Sequence, residues 1–173
     1  MRRLAFLILH LTVLRADYCG EGKIPIGFEV TPQGKVHLNC EKPDCMDREF
    51  SECPERAESV SCPGNESWVG GLDQRIDGGL RLRCCSYPDL KVYAKEMFRN
   101  ITLFPGMFFE SAVKFIESSK KDMEWFDLIS NVKQIRTKNG THYQLTLHRF
   151  NCTKLPEDPP SWWKENQWPF WGE

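Results

Sequence analysis

The chain has 173 residues, 40% of them hydrophobic and 27% charged, with a formal net charge of −1. That length is one ordinary domain, large enough to bury a stable core. With no basic excess to displace counterions from phosphate, the composition argues against nucleic acid as a partner.

Residues 1–16 read as a signal peptide. Arg2 and Arg3 precede an apolar run from Leu4 to Leu14, broken only by His10 and Thr12, and Ala16 offers a small residue for cleavage. The run falls short of the ~20 residues that a bilayer-spanning helix needs, and no later segment is apolar enough to span. Cleavage before Asp17 leaves 157 residues (173 less 16). Because Arg2, Arg3 and Arg15 leave with the leader, 20 basic residues then face 24 acidic ones, a charge of −4.

The dominant period in the mature chain is two. Ile24, Ile26, Phe28 and Val30 alternate with Pro25, Gly27 and Glu29. After a turn at Thr31-Pro32-Gln33-Gly34, Val36, Leu38 and Cys40 alternate with His37 and Asn39. This pair predicts a β-hairpin with one buried face. Residues 41–67 hold eight acids against Lys42, Arg48 and Arg56, and read as an irregular acidic loop held by Cys45, Cys53 and Cys62. Leu80, Leu82 and Cys84 alternate with Arg81 and Arg83 behind the flexible Asp77-Gly78-Gly79. Ile101 and Leu103 share a face opposite Asn100 and Thr102, and Phe104-Pro105-Gly106-Met107 is a turn. Runs at 112–116, 124–129 and 132–136 follow, the last two compatible with helix as well as strand. Asn139-Gly140, a strong hairpin signal, leads into Tyr143, Leu145 and Leu147 at alternate positions. About eight short strands separated by turns predict a mainly β fold: a small disulfide-rich antiparallel sandwich or barrel-like domain with an irregular acidic loop. The tail, residues 155–173, is rich in proline and tryptophan and has no periodic apolar face.

All eight cysteines (Cys19, Cys40, Cys45, Cys53, Cys62, Cys84, Cys85 and Cys152) follow the cleavage point. An even count behind a secretion signal implies a disulfide framework, with roughly a hundred possible pairings left open. Cys84 and Cys85 are neighbours in a strand-like run and point to opposite faces, so they pair with different partners. Four sequons, at Asn65, Asn100, Asn139 and Asn151, are candidate glycan acceptors. Asn151 is the weakest, because its neighbour Cys152 can be locked in a bridge before transfer.

Catalytic motifs are missing. After the leader the histidines are His37, His142 and His148. His37 is outward by alternation, and the other two flank the last strand on its polar side. No nucleophile elbow, metal-protease histidine pair or phosphate-cradling glycine loop occurs, so the expectation is no enzyme and no cofactor. Cys40 and Cys45 lack the paired spacing of a zinc site, and disulfide is the better reading in an oxidising compartment. The doubly bridged segment between Cys53 and Cys62 is the one place for an inhibitory loop. Trp162, Trp163, Trp168 and Trp171 in the tail suit a partner's groove, a carbohydrate or a membrane interface, the alternative being that the tail packs back on its own domain.

Tyr18-Cys19-Gly20-Glu21, the stretch Ile24 to Val30, and Leu38-Asn39-Cys40-Glu41-Lys42-Pro43-Asp44-Cys45 resemble the amino-terminal Wart domain. That domain belongs to the nematode warthog proteins, a branch of the hedgehog-related secreted proteins. The resemblance resumes at Trp68-Val69-Gly70-Gly71, at Leu80 to Cys85, at Trp125 to Lys133, and at Arg149-Phe150-Asn151-Cys152. It divides the chain into the leader, a Wart-like extracellular domain at 17–154 and the tail. It implies an intercellular signal in development, acting on an extracellular protein receptor and associated with epidermis or cuticle; the alternative is a structural matrix component. Relatives with a carboxy-terminal Hog domain splice themselves, but the 21 residues after Cys152 are too few for one. Self-processing and an attached sterol are therefore not expected.

Overall fold

A computed structural model describes residues 17–45, 51–63 and 65–155. The leader and the tryptophans of the tail lie outside the described residues. Among those described, ten strands run β1 (Asp17–Tyr18), β2 (Ile24–Val30), β3 (Val36–Glu41), β4 (Ser67–Gln74), β5 (Leu80–Ser86), β6 (Ala94–Leu103), β7 (Phe108–Glu110), β8 (Val113–Ile116), β9 (Ser119–Thr137) and β10 (Gly140–Asn151). A single helical turn, α1 (Leu90–Tyr93), precedes β6, and a 3-10 turn at Cys152–Lys154 follows β10. The strands form three sheets in the orders β1-β4-β5, β6-β10-β9-β8 and β3-β2-β7, with every pair antiparallel. None closes into a barrel, so the mainly β, disulfide-rich expectation holds in a form built from three packed sheets.

The hairpins read from the sequence are present. Thr31–Lys35 closes β2 on β3, with the Thr31 hydroxyl accepting from the Lys35 amide at 3.0 Å and Gly34 at φ 78°. The Asn139-Gly140 turn joins β9 to β10. The two runs left ambiguous between helix and strand are parts of one 19-residue strand, β9. Pairing on both edges, to β10 and β8, overrides a local pattern that suits either element.

Two apolar clusters lie along the long strands. The first gathers Phe28, Val30, Val69, Leu82, Ile129, Val132, Tyr143 and Leu145. The second gathers Ile24, Ile26, Trp68, Tyr87, Phe126, Leu128 and Phe150, with the Phe126 and Phe150 rings stacked at 5.2 Å. Strand β10 serves both, one with each face. Its buried positions are Tyr143, Leu145 and Leu147, then His148 and Phe150, and a register shift against β9 falls between Thr146 and Leu147. The inserted residue is Ser130 of β9, so β9 changes phase there while β10 keeps its alternation, its odd positions facing the first cluster and Phe150 the second. The placement of His148 is corrected: alternation puts it on the face expected to be polar, but that face is covered at this end of β10 and the ring is 6% exposed.

The pairing of β6 with β10 also slips twice, between Leu145 and His148. Asn100 takes φ 64° in that stretch of β6, a left-handed conformation that asparagine tolerates better than most residues.

Candidate recognition surface

The cysteines pair as Cys19–Cys40, Cys45–Cys152, Cys53–Cys85 and Cys62–Cys84. None is left as a free thiol for metal or nucleophilic chemistry. Cys84 and Cys85 do take different partners, and both partners come from the acidic segment. That segment is thereby sewn along the outer edge of β5, where Glu52 bridges to Ser86 and Ser59 to Leu82. The stretch from Cys53 to Cys62 is tied at both ends to adjacent residues of one strand. Asn65, Asn100 and Asn139 are exposed. Asn151 is half-buried, and its side-chain oxygen Oδ1 accepts from the Thr153 amide at 3.1 Å and hydroxyl at 2.7 Å.

The sheet β3-β2-β7 presents a face that the sequence reading did not single out. Register sorts its side chains into two sets. Phe28 lies opposite Leu38 and Phe109, and this row packs into the first cluster. Glu29 lies opposite His37 and Phe108, and Gly27 opposite Asn39 and Glu110, so these rows face outward. Together they border a shallow groove of about 460 Å³ lined by Glu29, His37, Asn39, Phe108 and Glu110. Gly27, in the middle of this sheet, has no room for a side chain: a Cβ there would stand 2.8 Å from the Asn39 Cβ and 3.2 Å from the Phe109 carbonyl. His37 is held at 3.4 Å from the Asp17 carboxylate, which also accepts the Leu38 amide at 2.8 Å.

One end of this face continues into the β6–β7 turn. Its backbone is committed to β2, since the Gly106 amide donates to the Val30 carbonyl at 2.7 Å and the Val30 amide to the Met107 carbonyl at 2.9 Å. The side chains are left pointing away. Phe104 is 53%, Met107 45% and Phe108 75% exposed, and the Phe104 ring lies 5.3 Å from that of His142. The sequence signal was available: a turn usually carries polar residues, and Phe104-Pro105-Gly106-Met107-Phe108-Phe109 puts four large apolar side chains around one.

His148 and Ser130 form the one arrangement with a catalytic look among the described residues. His148 Nδ1 lies 2.8 Å from Ser130 Oγ, and that hydroxyl donates to the Thr146 carbonyl at 3.0 Å. With its proton so directed, Ser130 accepts from His148 Nδ1–H, the reverse of the proton movement that activates a serine. Ser130 is also fully buried. The pair stitches β9 to β10. No group of three or more histidine, cysteine or acidic side chains among the described residues is placed to hold a metal ion, and no described helix is long and apolar enough to cross a membrane.

Residues 16–153 match the model of the Warthog N-terminal signalling domain. The chain belongs to the Warthog family. It is 41% identical over 158 residues to Warthog protein 5 of Caenorhabditis elegans, covering 90% of this chain and 88% of that protein. With Warthog protein 3 of the same organism it shares 39% identity over 166 residues, covering 95% and 92%. Warthog protein 1 is 28% identical over 193 residues, where the match takes up 87% of this chain and 39% of the relative. No solved structure matches the chain. The Warthog match spans the cysteines, the three sheets and the outward face of β3-β2-β7.

Proposed function

We propose that this Warthog domain is a secreted, hedgehog-related intercellular signal in development, and that it works by presenting the face of β3-β2-β7 and the β6–β7 turn to an extracellular protein receptor. The observation that carries the reading is Phe108. It is a large aromatic side chain, three-quarters exposed, on backbone fixed by β2 and flanked by Glu29, Glu110 and His37. Aromatic anchors on rigid backbone dominate protein interfaces because little entropy is lost when they are covered. Two carboxylates beside the anchor suit a partner that offers a basic side chain next to an apolar pocket. Four disulfides and a family described as a signalling domain support an extracellular setting.

The test is expression of the full chain in animal cells, followed by binding of the labelled product to live cells. The expected result is protein in the medium that starts at Asp17, carries glycan on Asn65, Asn100 or Asn139, and binds saturably. Phe108→Glu should abolish binding and leave secretion unchanged. Binding that survives this substitution would remove the proposed face. Product that leaves the cell layer only with reductant or detergent would favour the structural matrix or cuticle reading.

A further inference from the structure

A second surface, at the end of the molecule bearing the β4–β5 turn, has a different chemistry. A cleft of about 510 Å³ lies between that turn and β9, lined among others by Arg75, Arg81, Lys133, Arg136 and Asp77. The one acid is already engaged, since the Asp77 carboxylate accepts the Gly79 amide at 2.8 Å. The four cations are not neutralised. None of them is in an ion pair among the described residues. The Arg136 guanidinium donates to the uncharged Asp77 carbonyl at 3.2 Å. Asp73 stands opposite Arg81 across β4 and β5 without closing a contact.

The cleft is held open by its own hydrogen bonds. The Gln134 side chain donates through Nε2 to the Gly78 carbonyl at 2.9 Å and accepts at Oε1 from the Leu80 amide at 3.1 Å, fixing β9 against the turn. Four like charges gathered on a fixed frame repel one another, and the single lining carboxylate, Asp77, offsets only one of them. On a chain whose overall charge is −1, such an island is explained by an anionic ligand.

We propose that this cleft binds a short sulfated segment of an extracellular polysaccharide. Several cations spread along a cleft suit a ligand with repeated anionic groups better than a single small anion. The concavity suits a chain that lies within it, whereas a flat bilayer surface reaches only its rim. The positive island is also bounded: beyond Arg75 the neighbouring cavity is lined by Asp17, Glu55, Glu58 and Asp73 as well as Arg56 and Arg83, so a long uniform polyanion would meet carboxylates. Asn139, in the adjoining β9–β10 turn, is a candidate glycan acceptor near the rim, so Asn139→Gln is used as the background.

The experiment is titration calorimetry at physiological salt with a heparin-derived oligosaccharide, its desulfated counterpart, and vesicles of phosphatidylserine and phosphatidylcholine. The protein with Asn139→Gln should bind the sulfated oligosaccharide and neither of the others. Lys133→Glu with Arg136→Glu, both exposed positions, should weaken binding at least about tenfold, which is about 1.4 kcal/mol. The charge-matched control, Lys23→Glu with Lys95→Glu, removes the same charge away from the cleft and should change affinity less than about twofold. Circular dichroism of both variants confirms the fold. Equal weakening by the control would show diffuse attraction and overturn the cleft. Equal binding of the desulfated sugar, tighter binding of vesicles, or no binding of the sulfated oligosaccharide would overturn the ligand class.

Discussion

Removing disulfides one at a time should reveal a ranking set by loop length rather than by burial. Cys45–Cys152 closes a sequence separation of 107 residues, against 21 for Cys19–Cys40, 32 for Cys53–Cys85 and 22 for Cys62–Cys84. With the other bridges intact, the path from Cys45 to Cys152 shortens through Cys53–Cys85 to about 75 residues, about eight before Cys53 and about 67 after Cys85. Because loop entropy grows with the logarithm of length, the Cys45–Cys152 bridge still contributes about 4.5 kcal/mol. Cys53–Cys85 is nested around Cys62–Cys84. Without it the loop left open is only about ten residues, so its loss costs about 2.7 kcal/mol, although Cys85 is the more buried cysteine at 1% exposure against 8% for Cys152. Cys19–Cys40 falls between, at about 3.3 kcal/mol. The assay is urea unfolding of the purified double-alanine variants, followed by tryptophan fluorescence. A larger loss from Cys53→Ala with Cys85→Ala than from Cys45→Ala with Cys152→Ala would refute the entropic ranking and show that packing around the sulfurs decides.

Other expectations follow from the core. Gly70→Ala places a Cβ 2.1 Å from Cys85 Sγ, so it should cost about 3 kcal/mol of overpacking and lower the yield of fully oxidised protein, measured as free thiols in the purified product. Asp127 is 3% exposed and held by Arg149 through two contacts, at 2.7 and 2.9 Å. Arg149→Met leaves that carboxylate buried and unpaired and should cost about 3 kcal/mol in denaturant unfolding, with Asp127→Asn in the same chain restoring part of it. No loss in the single variant would show that water reaches Asp127. Burial is the largest influence on His148 and holds its ring below the usual histidine range, with the Glu96 carboxylate raising it and Arg99 lowering it further. The unfolded chain therefore takes up this proton first. Stability from the neutral ring is intact above the unfolded value of about 6.5 and declines as pH falls below it. His148→Gln should flatten the stability profile between about pH 7 and 5; an unchanged slope would assign the pH dependence to other groups.

The features legible in the chain were local and periodic. Alternation at Ile24–Val30 and at Tyr143–Leu147 marked strands, because a half-buried sheet repeats every two residues. Thr31-Pro32-Gln33-Gly34 and Asn139-Gly140 marked their turns, because those residues accept the backbone angles that a tight reversal needs. The adjacent Cys84 and Cys85 announced two separate bridges by strand geometry alone. The family was also legible, since the cysteine-bearing stretches carry it. Features that depend on partners distant in sequence emerged only with the packing of the sheets. Which cysteine meets Cys84 follows from how the acidic segment lies along β5. The burial of His148 follows from the packing that covers the second face of β10 at that end, which no alternation within β10 encodes. The 19-residue β9 needed β8 and β10 on its edges before its helix-like pattern became strand. Phe108 reads as one more apolar residue until its register with Glu29 and His37 places it on the outer face. The cationic cleft likewise draws Arg75 and Arg81 from one hairpin and Lys133 and Arg136 from another strand, residues more than fifty positions apart that sheet packing alone brings together.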